Sequence, residues 1–153
     1  MNWGGVVVHQ KYCVEEFDYK KFLDDHWGDV VVFVTGSWVY TSHTGSYSYW
    51  AKYQNQSTSW KKELKDLKSP NVAMLLAVEH ICRKLKHNDI DVYIVSPTEL
   101  GFKRGERNKG ANVALVQEIY TICKDKNLRL HSATVVGGGE FVKCWIERRL
   151  RKK

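Results

Sequence analysis

Four cations crowd into one short stretch, GFKRGERNKG at residues 101–110: Lys103, Arg104, Arg107 and Lys109, spaced by glycines. Side chains of this type on a loop can follow a phosphate backbone, with the arginines offering bidentate contacts. A solvated loop explains the same residues nearly as well. A second basic group closes the chain, Arg148, Arg149, Arg151, Lys152 and Lys153. It either meets an anionic ligand or faces the negative end of a helix dipole. The rings of Trp38, Tyr40, Tyr47, Tyr49 and Tyr53 cluster within one region, where exposed aromatics stack on bases or anchor a protein interface. Alternation along strands buries about half of them.

Other chemistry is sparse. Cys13, Cys82, Cys123 and Cys144 form neither a CxxC nor a Cys/His cluster, so no metal site is read and free thiols in a reducing compartment are expected. His9, His26, His43, His80, His87 and His131 show no ligand spacing, and structural roles are expected for them. The glycines at 137–139 lack a following Lys-Ser/Thr and read as a turn rather than a phosphate loop. No cofactor is expected.

A length of 153 residues suits one compact domain. With 43% hydrophobic and 27% charged residues, the chain is neither disordered nor collagen-like. The longest apolar runs, residues 30–34 and 73–78, fall far short of the ~18–20 residues a membrane span needs. Residues 1–10 lack the basic start and apolar stretch of a secretory leader, so an intracellular protein, cytoplasmic or nuclear, is expected, with no membrane partner. Twenty-four Lys and Arg against seventeen Asp and Glu give a net charge of +7, which favours polyanionic partners.

The elements that must position these residues follow from pattern. Residues 1–28 read as an extension packed on the domain, with a β-prone run at 6–9 and a stretch at 14–27 able to form a helix. Strands are expected at 30–35, 46–53 and 57–63, joined by short polar turns as an antiparallel meander. Ser69 as cap and Pro70 at the first position open a helix whose apolar face carries Leu75, Val78, Ile81, Cys82 and Leu85, ending near 87–89. A strand at 92–95, a helix at 111–124, a strand at 128–136 and a terminal helix at 140–151 complete the order β β β α β α β α. The implied fold is α/β, a mixed five-stranded sheet with helices on both faces.

This order and several strings resemble the ribonuclease H-like superfamily over residues 29–153. VVVFVTGSW at 30–38 is similar to the family's first strand, which ends in Thr/Ser-Asp-Gly-Ser, with Thr35 where the Asp belongs. SYSYWAKY at 46–53 resembles the second, aromatic strand. SPNVAMLLA at 69–77 looks like the start of the first long helix, with Asn71 matching an Asn of the motif and Met74 at its Glu position. VYIVSPT at 92–98 resembles the strand ending in Thr-Asp-Ser, with Pro97 for Asp. In the last helix, Cys144 and the following Trp145 stand where the family has Cys and then Asp.

Ribonuclease H chemistry, as the resemblance implies, needs carboxylates converging on two divalent metals. Thr35, Met74, Pro97 and Trp145 supply none, so the resemblance implies an inactive, pseudoenzyme-like binding module. Rescue by Asp29, Glu79, Glu99 or Glu147 is disfavoured, since five helical positions turn Glu79 roughly 140° from Met74. Ser69 and Asn71 fall where the family meets nucleic acid, although Ser69 is also an ordinary cap. The expected partner is RNA or an RNA-containing duplex, with a protein partner also open. The fold recurs in viral and retroelement proteins and in translation and splicing machinery. A ribosomal-protein-like RNA binder, an active nuclease with relocated carboxylates and a pure protein-interaction domain are the alternatives.

Overall fold

The computed structural model describes residues 8–100 and 112–151. Six strands form one mixed sheet: β1 (Val8–Cys13), β2 (Val30–Val39), β3 (Thr44–Tyr53), β4 (Gln56–Leu64), β5 (Ile90–Ser96) and β6 (Leu128–Val136). Their spatial order is β1-β6-β5-β2-β3-β4. β1, β6, β5 and β2 run parallel, and β3 and β4 continue antiparallel from β2. Four α-helices complete the described residues, α1 (Tyr19–Asp25), α2 (Pro70–Lys84), α3 (Val113–Lys126) and α4 (Gly139–Arg151).

The sheet has six strands rather than the expected five. Residues 8–13 belong to it, pairing in parallel with β6 from Val8 opposite His131 to Cys13 opposite Val136. The pairing covers the edge β6 would otherwise expose. The stretch after it is broken into a 3₁₀ turn, Val14–Glu16, and the short α1, whose cap Asp18 accepts a bond from the Lys21 amide at 3.1 Å.

Each face of the sheet has its own apolar layer. Val30, Val32 and Val34 of β2 face α2 and α3, packing with Tyr49, Met74, Leu75, Ile81, Ile94, Ile119 and Tyr120. Val31 and Phe33 point the other way, toward α1 and α4, and pack with Trp50, Val95, Ala133, Val142, Trp145 and Ile146. Burial of successive residues 30–34 on both faces is why this strand is an unbroken apolar run.

Ser69 caps α2, accepting from the Val72 amide at 3.2 Å, with Pro70 at the first position. The helix stops at Lys84, short of 87–89. Lys126, at the end of α3, donates to the carbonyls of Cys82, Arg83 and Leu85 at 2.7–2.8 Å. These are the unpaired carbonyls a helix end leaves, and a cation suits them. α3 itself ends at Asn127, whose left-handed backbone (φ 52°) asparagine tolerates.

At the amino-terminal ends of β5 and β6, His131 donates to Asp91 at 2.9 Å and Arg129 to the same carboxylate at 3.0 Å. Burial raises the Asp91 pKa, but the Arg129 and His131 bonds outweigh it and hold it below its ordinary value. A carboxyl depressed by folding stabilises fully above the unfolded pKa of ~3.9 and loses that contribution as pH falls through its lower folded value. Asp91→Asn is therefore expected to flatten the loss of stability below about pH 4, read from denaturation midpoints across pH.

Gly45 sits where any side chain collides. A Cβ there would lie 2.0 Å from the Ser37 carbonyl oxygen and 2.7 Å from Leu67. Gly28 has nothing within 4 Å. Gly45→Ala should cost about 2–3 kcal/mol in a urea titration, whereas Gly28→Ala should stay within about 0.5 kcal/mol.

Candidate functional site

The order of strands reverses at β2, which has a parallel neighbour on one side and an antiparallel one on the other. In open α/β sheets, ligands bind near the carboxyl end of such a strand. Beyond Val34, β2 loses its full burial, and Thr35, Gly36 and Ser37 border a cleft of roughly 340 Å³ beside α4.

Register dictates what lines that cleft. Thr35 pairs with Ser48, which pairs with Lys61, and Ser37 pairs with Ser46, which pairs with Glu63. Directly opposed residues share a face, so these two rows continue the face begun by Phe33 and Trp50. Ser37 and Ser46 are joined through their hydroxyls at 2.9 Å. Ile146 is the apolar wall, and Lys143 and Glu147 reach in from α4. Lys61 is exposed, with its ammonium 3.8 Å from Glu63. Four hydroxyls, two ammonium groups and one carboxylate thus line the cleft. Hydroxyls and ammonium groups are the donors that phosphate oxygens accept.

The four positions at which the resemblance expects carboxylates do not share one face. Met74 packs in the core beneath α2, while Thr35 opens into the cleft on the α4 side. The β2 residue that abuts Met74 is Gly36, whose Cβ would lie 3.2 Å from the Met74 Cγ. Trp145 is buried on the α4 side, 5.1 Å from Phe33, 5.7 Å from Trp50 and 4.2 Å from Tyr19 between ring centroids. Its indole N–H is buried with no acceptor among the described residues. Pro97 lies in the turn after β5. Asn71 braces that turn, accepting from the Thr98 hydroxyl at 3.2 Å and donating to the Glu99 carbonyl at 3.4 Å. Asn71 and Pro97 are therefore together, and Ser69 acts as the helix cap.

The displaced carboxylates are dispersed. Asp29 bonds His26 at 3.1 Å, and Glu79 lies 3.7 Å from Arg83, its pKa raised by burial and by Glu118. Glu99 is exposed, and Glu147 alone reaches the cleft. Among the described residues, no group of three or more His, Cys, Asp and Glu side chains is placed to hold a metal.

Lys103, Arg104, Arg107 and Lys109 lie outside the described residues, as do Lys152 and Lys153. Arg148 is exposed. Arg149 is half-buried, with its guanidinium 3.2 Å from the Trp145 ring centroid and 5.0 Å from that of Trp50. Of the hairpin rings, Tyr47 and Tyr49 are core residues and Tyr40 is 73% exposed. Trp38 is tied down by its indole N–H on the Leu67 carbonyl. Sequence reasoning missed Ser37, Ser46, Ser48, Lys61 and Lys143. Their signal was positional, two-residue steps on three strands that meet only once the register is known.

The chain matches no protein-family model, and no curated protein is significantly similar to it.

Trp145 fills the layer between α4 and the sheet, so Trp145→Ala should cost about 3–5 kcal/mol in chemical denaturation. Trp145→Phe should cost far less, because the buried N–H has no acceptor to lose.

Proposed function

We propose that this protein is a catalytically inactive, ribonuclease H-like binding module that contacts RNA or an RNA-containing duplex through the cleft beside α4. The observation that carries the reading is the composition of that cleft. At the strand where the sheet order reverses, the lining carries four hydroxyls and two ammonium groups against one carboxylate, Glu147, with Glu63 beside Lys61. A pair of divalent cations needs several converging carboxylates to offset its charge. A backbone phosphate needs donors and positive charge, and RNA adds 2′-hydroxyls that serine and threonine can meet.

Two further features support it. Within residues 30–151 the order β2, β3, β4, α2, β5, α3, β6, α4 is the one on which the resemblance rests; β1 is a departure from it. The excess of seven positive charges gives a polyanion a general attraction.

The test is binding and cleavage measured together. Labelled RNA/DNA hybrid, RNA duplex and single strands are incubated with the protein in Mg²⁺ or Mn²⁺. The expected result is retention without metal-dependent product. Replacing Lys61 and Lys143 together by alanine should weaken retention and reduce the salt slope by about 2, close to 0.9 per lost phosphate contact. Replacing Lys103, Arg104, Arg107 and Lys109 separately measures the contribution of that loop. Metal-dependent cleavage that survives stringent purification overturns the inactive reading, and failure to retain any nucleic acid overturns the binding one.

A further inference from the structure

On the flank of α4 away from Lys143 and Glu147 lies a second, open pocket of roughly 670 Å³. Its walls are the rings of Tyr19 from α1 and Phe141 and Trp145 from α4, with Arg148 and Arg149 beside them. The rings touch one another at angles rather than face to face, so a flat ligand meets their outer faces: Tyr19 lies 4.2 Å from Trp145 at 68° and 5.6 Å from Phe141 at 45°, and Phe141 lies 6.1 Å from Trp145 at 37°. Tyr19 and Phe141 both remain partly exposed.

Arg149 is the unusual member. Its guanidinium is held against Trp145 and donates one bond, to the Trp145 carbonyl at 3.1 Å. Among the described residues no carboxylate pairs with it. Burial is the main cause that lowers its pKa; neighbouring Arg148 lowers it further, and only Tyr19 opposes. A cation partly withdrawn from water is costly unless paired, and ring contact offsets about 0.5–2 kcal/mol of that cost. The remaining N–H groups of the fork suit an anion able to accept two parallel bonds. The one acidic residue lining the pocket is Glu140.

We infer that this pocket receives an unpaired nucleotide of RNA, its base stacked on Tyr19 and Phe141 and its phosphate on Arg148 and Arg149. Aromatic faces beside a guanidinium are how single strands are held, since every base has a π face and every linkage an anion. The inference rests on the RNA reading of the cleft and extends it. The two sites lie on opposite flanks of one helix about 10 Å across, so one RNA with a paired and an unpaired segment can occupy both.

Cys144 lines the pocket and is exposed, as Cys13 is elsewhere, whereas Cys82 and Cys123 are buried. In full-length Cys13→Ser protein, the rate of Cys144 alkylation by N-ethylmaleimide therefore reports occupancy. Saturating single-stranded oligouridylate should slow it at least about fivefold, and blunt RNA duplex should leave it unchanged. Tyr19→Ala should weaken single-strand affinity by about tenfold with duplex affinity retained. Arg148→Gln, at an exposed position, should weaken it in the same sense without touching the core. If RNA binds and Cys144 reacts at the same rate, the pocket assignment falls and the cleft reading stands. If no RNA binds, both fall. Equal protection by oligoglutamate overturns the nucleotide assignment in favour of an acidic peptide.

Discussion

The alternation of β2 is the constraint on which the rest of the molecule depends. Five successive residues, Val30 to Val34, are buried although they point in opposite directions, so two helical layers are needed, one on each side of the sheet. Once those layers are in place, the strand outruns them. Burial ends after Val34, and the next residues on the α4 face are Thr35 and Ser37. The cleft is the place where a two-sided strand continues past the cover on one of its sides. Its polarity follows from solvent access, and its position from the length of β2 relative to α4.

The same alternation decides the charge of the site. A side chain on β2 can face Met74 or face the cleft, never both, although the Gly36 backbone borders the cleft as well. Gly36 takes the first role and leaves no room for a side chain against Pro70, whose carbonyl oxygen would lie 2.9 Å from a Cβ. Thr35 takes the second. Trp145, a bulky ring, fills the layer against Phe33 and Trp50.

Much of this was legible in the sequence, and the failures share a cause. The apolar run of β2, the Ser69-Pro70 start of α2 and the span of β6 are local signals, and each was readable within two residues at the start or along its length. The pairing of β1 was not. VHQKYC mixes apolar and polar residues, and its partner lies more than a hundred positions away with no turn to announce it. The end of α2 was misplaced because it is set by Lys126, a residue of another helix. Motif matching put Thr35 and Met74 among positions that the resemblance implies converge, yet one step along a strand moves a side chain to the far side of the sheet. The serines and lysines of the cleft escaped notice for the same reason, since each is unremarkable on its own strand.

α4 ties these threads together through its own geometry. Val142 and Ile146 must meet the sheet to complete the layer around Phe33 and Val135. With about 100° between successive residues, that choice sends Lys143 and Glu147 to one flank and Phe141 and Trp145 to the other. The helix cannot rotate to favour either flank without lifting Ile146, fully buried, out of its seat. Both flanks are thereby held in fixed relation by the apolar contact of Val142 and Ile146 with the sheet. Arg149 follows Trp145 by four residues and so returns to its side of the helix, where the indole ring and the Trp145 carbonyl orient the guanidinium.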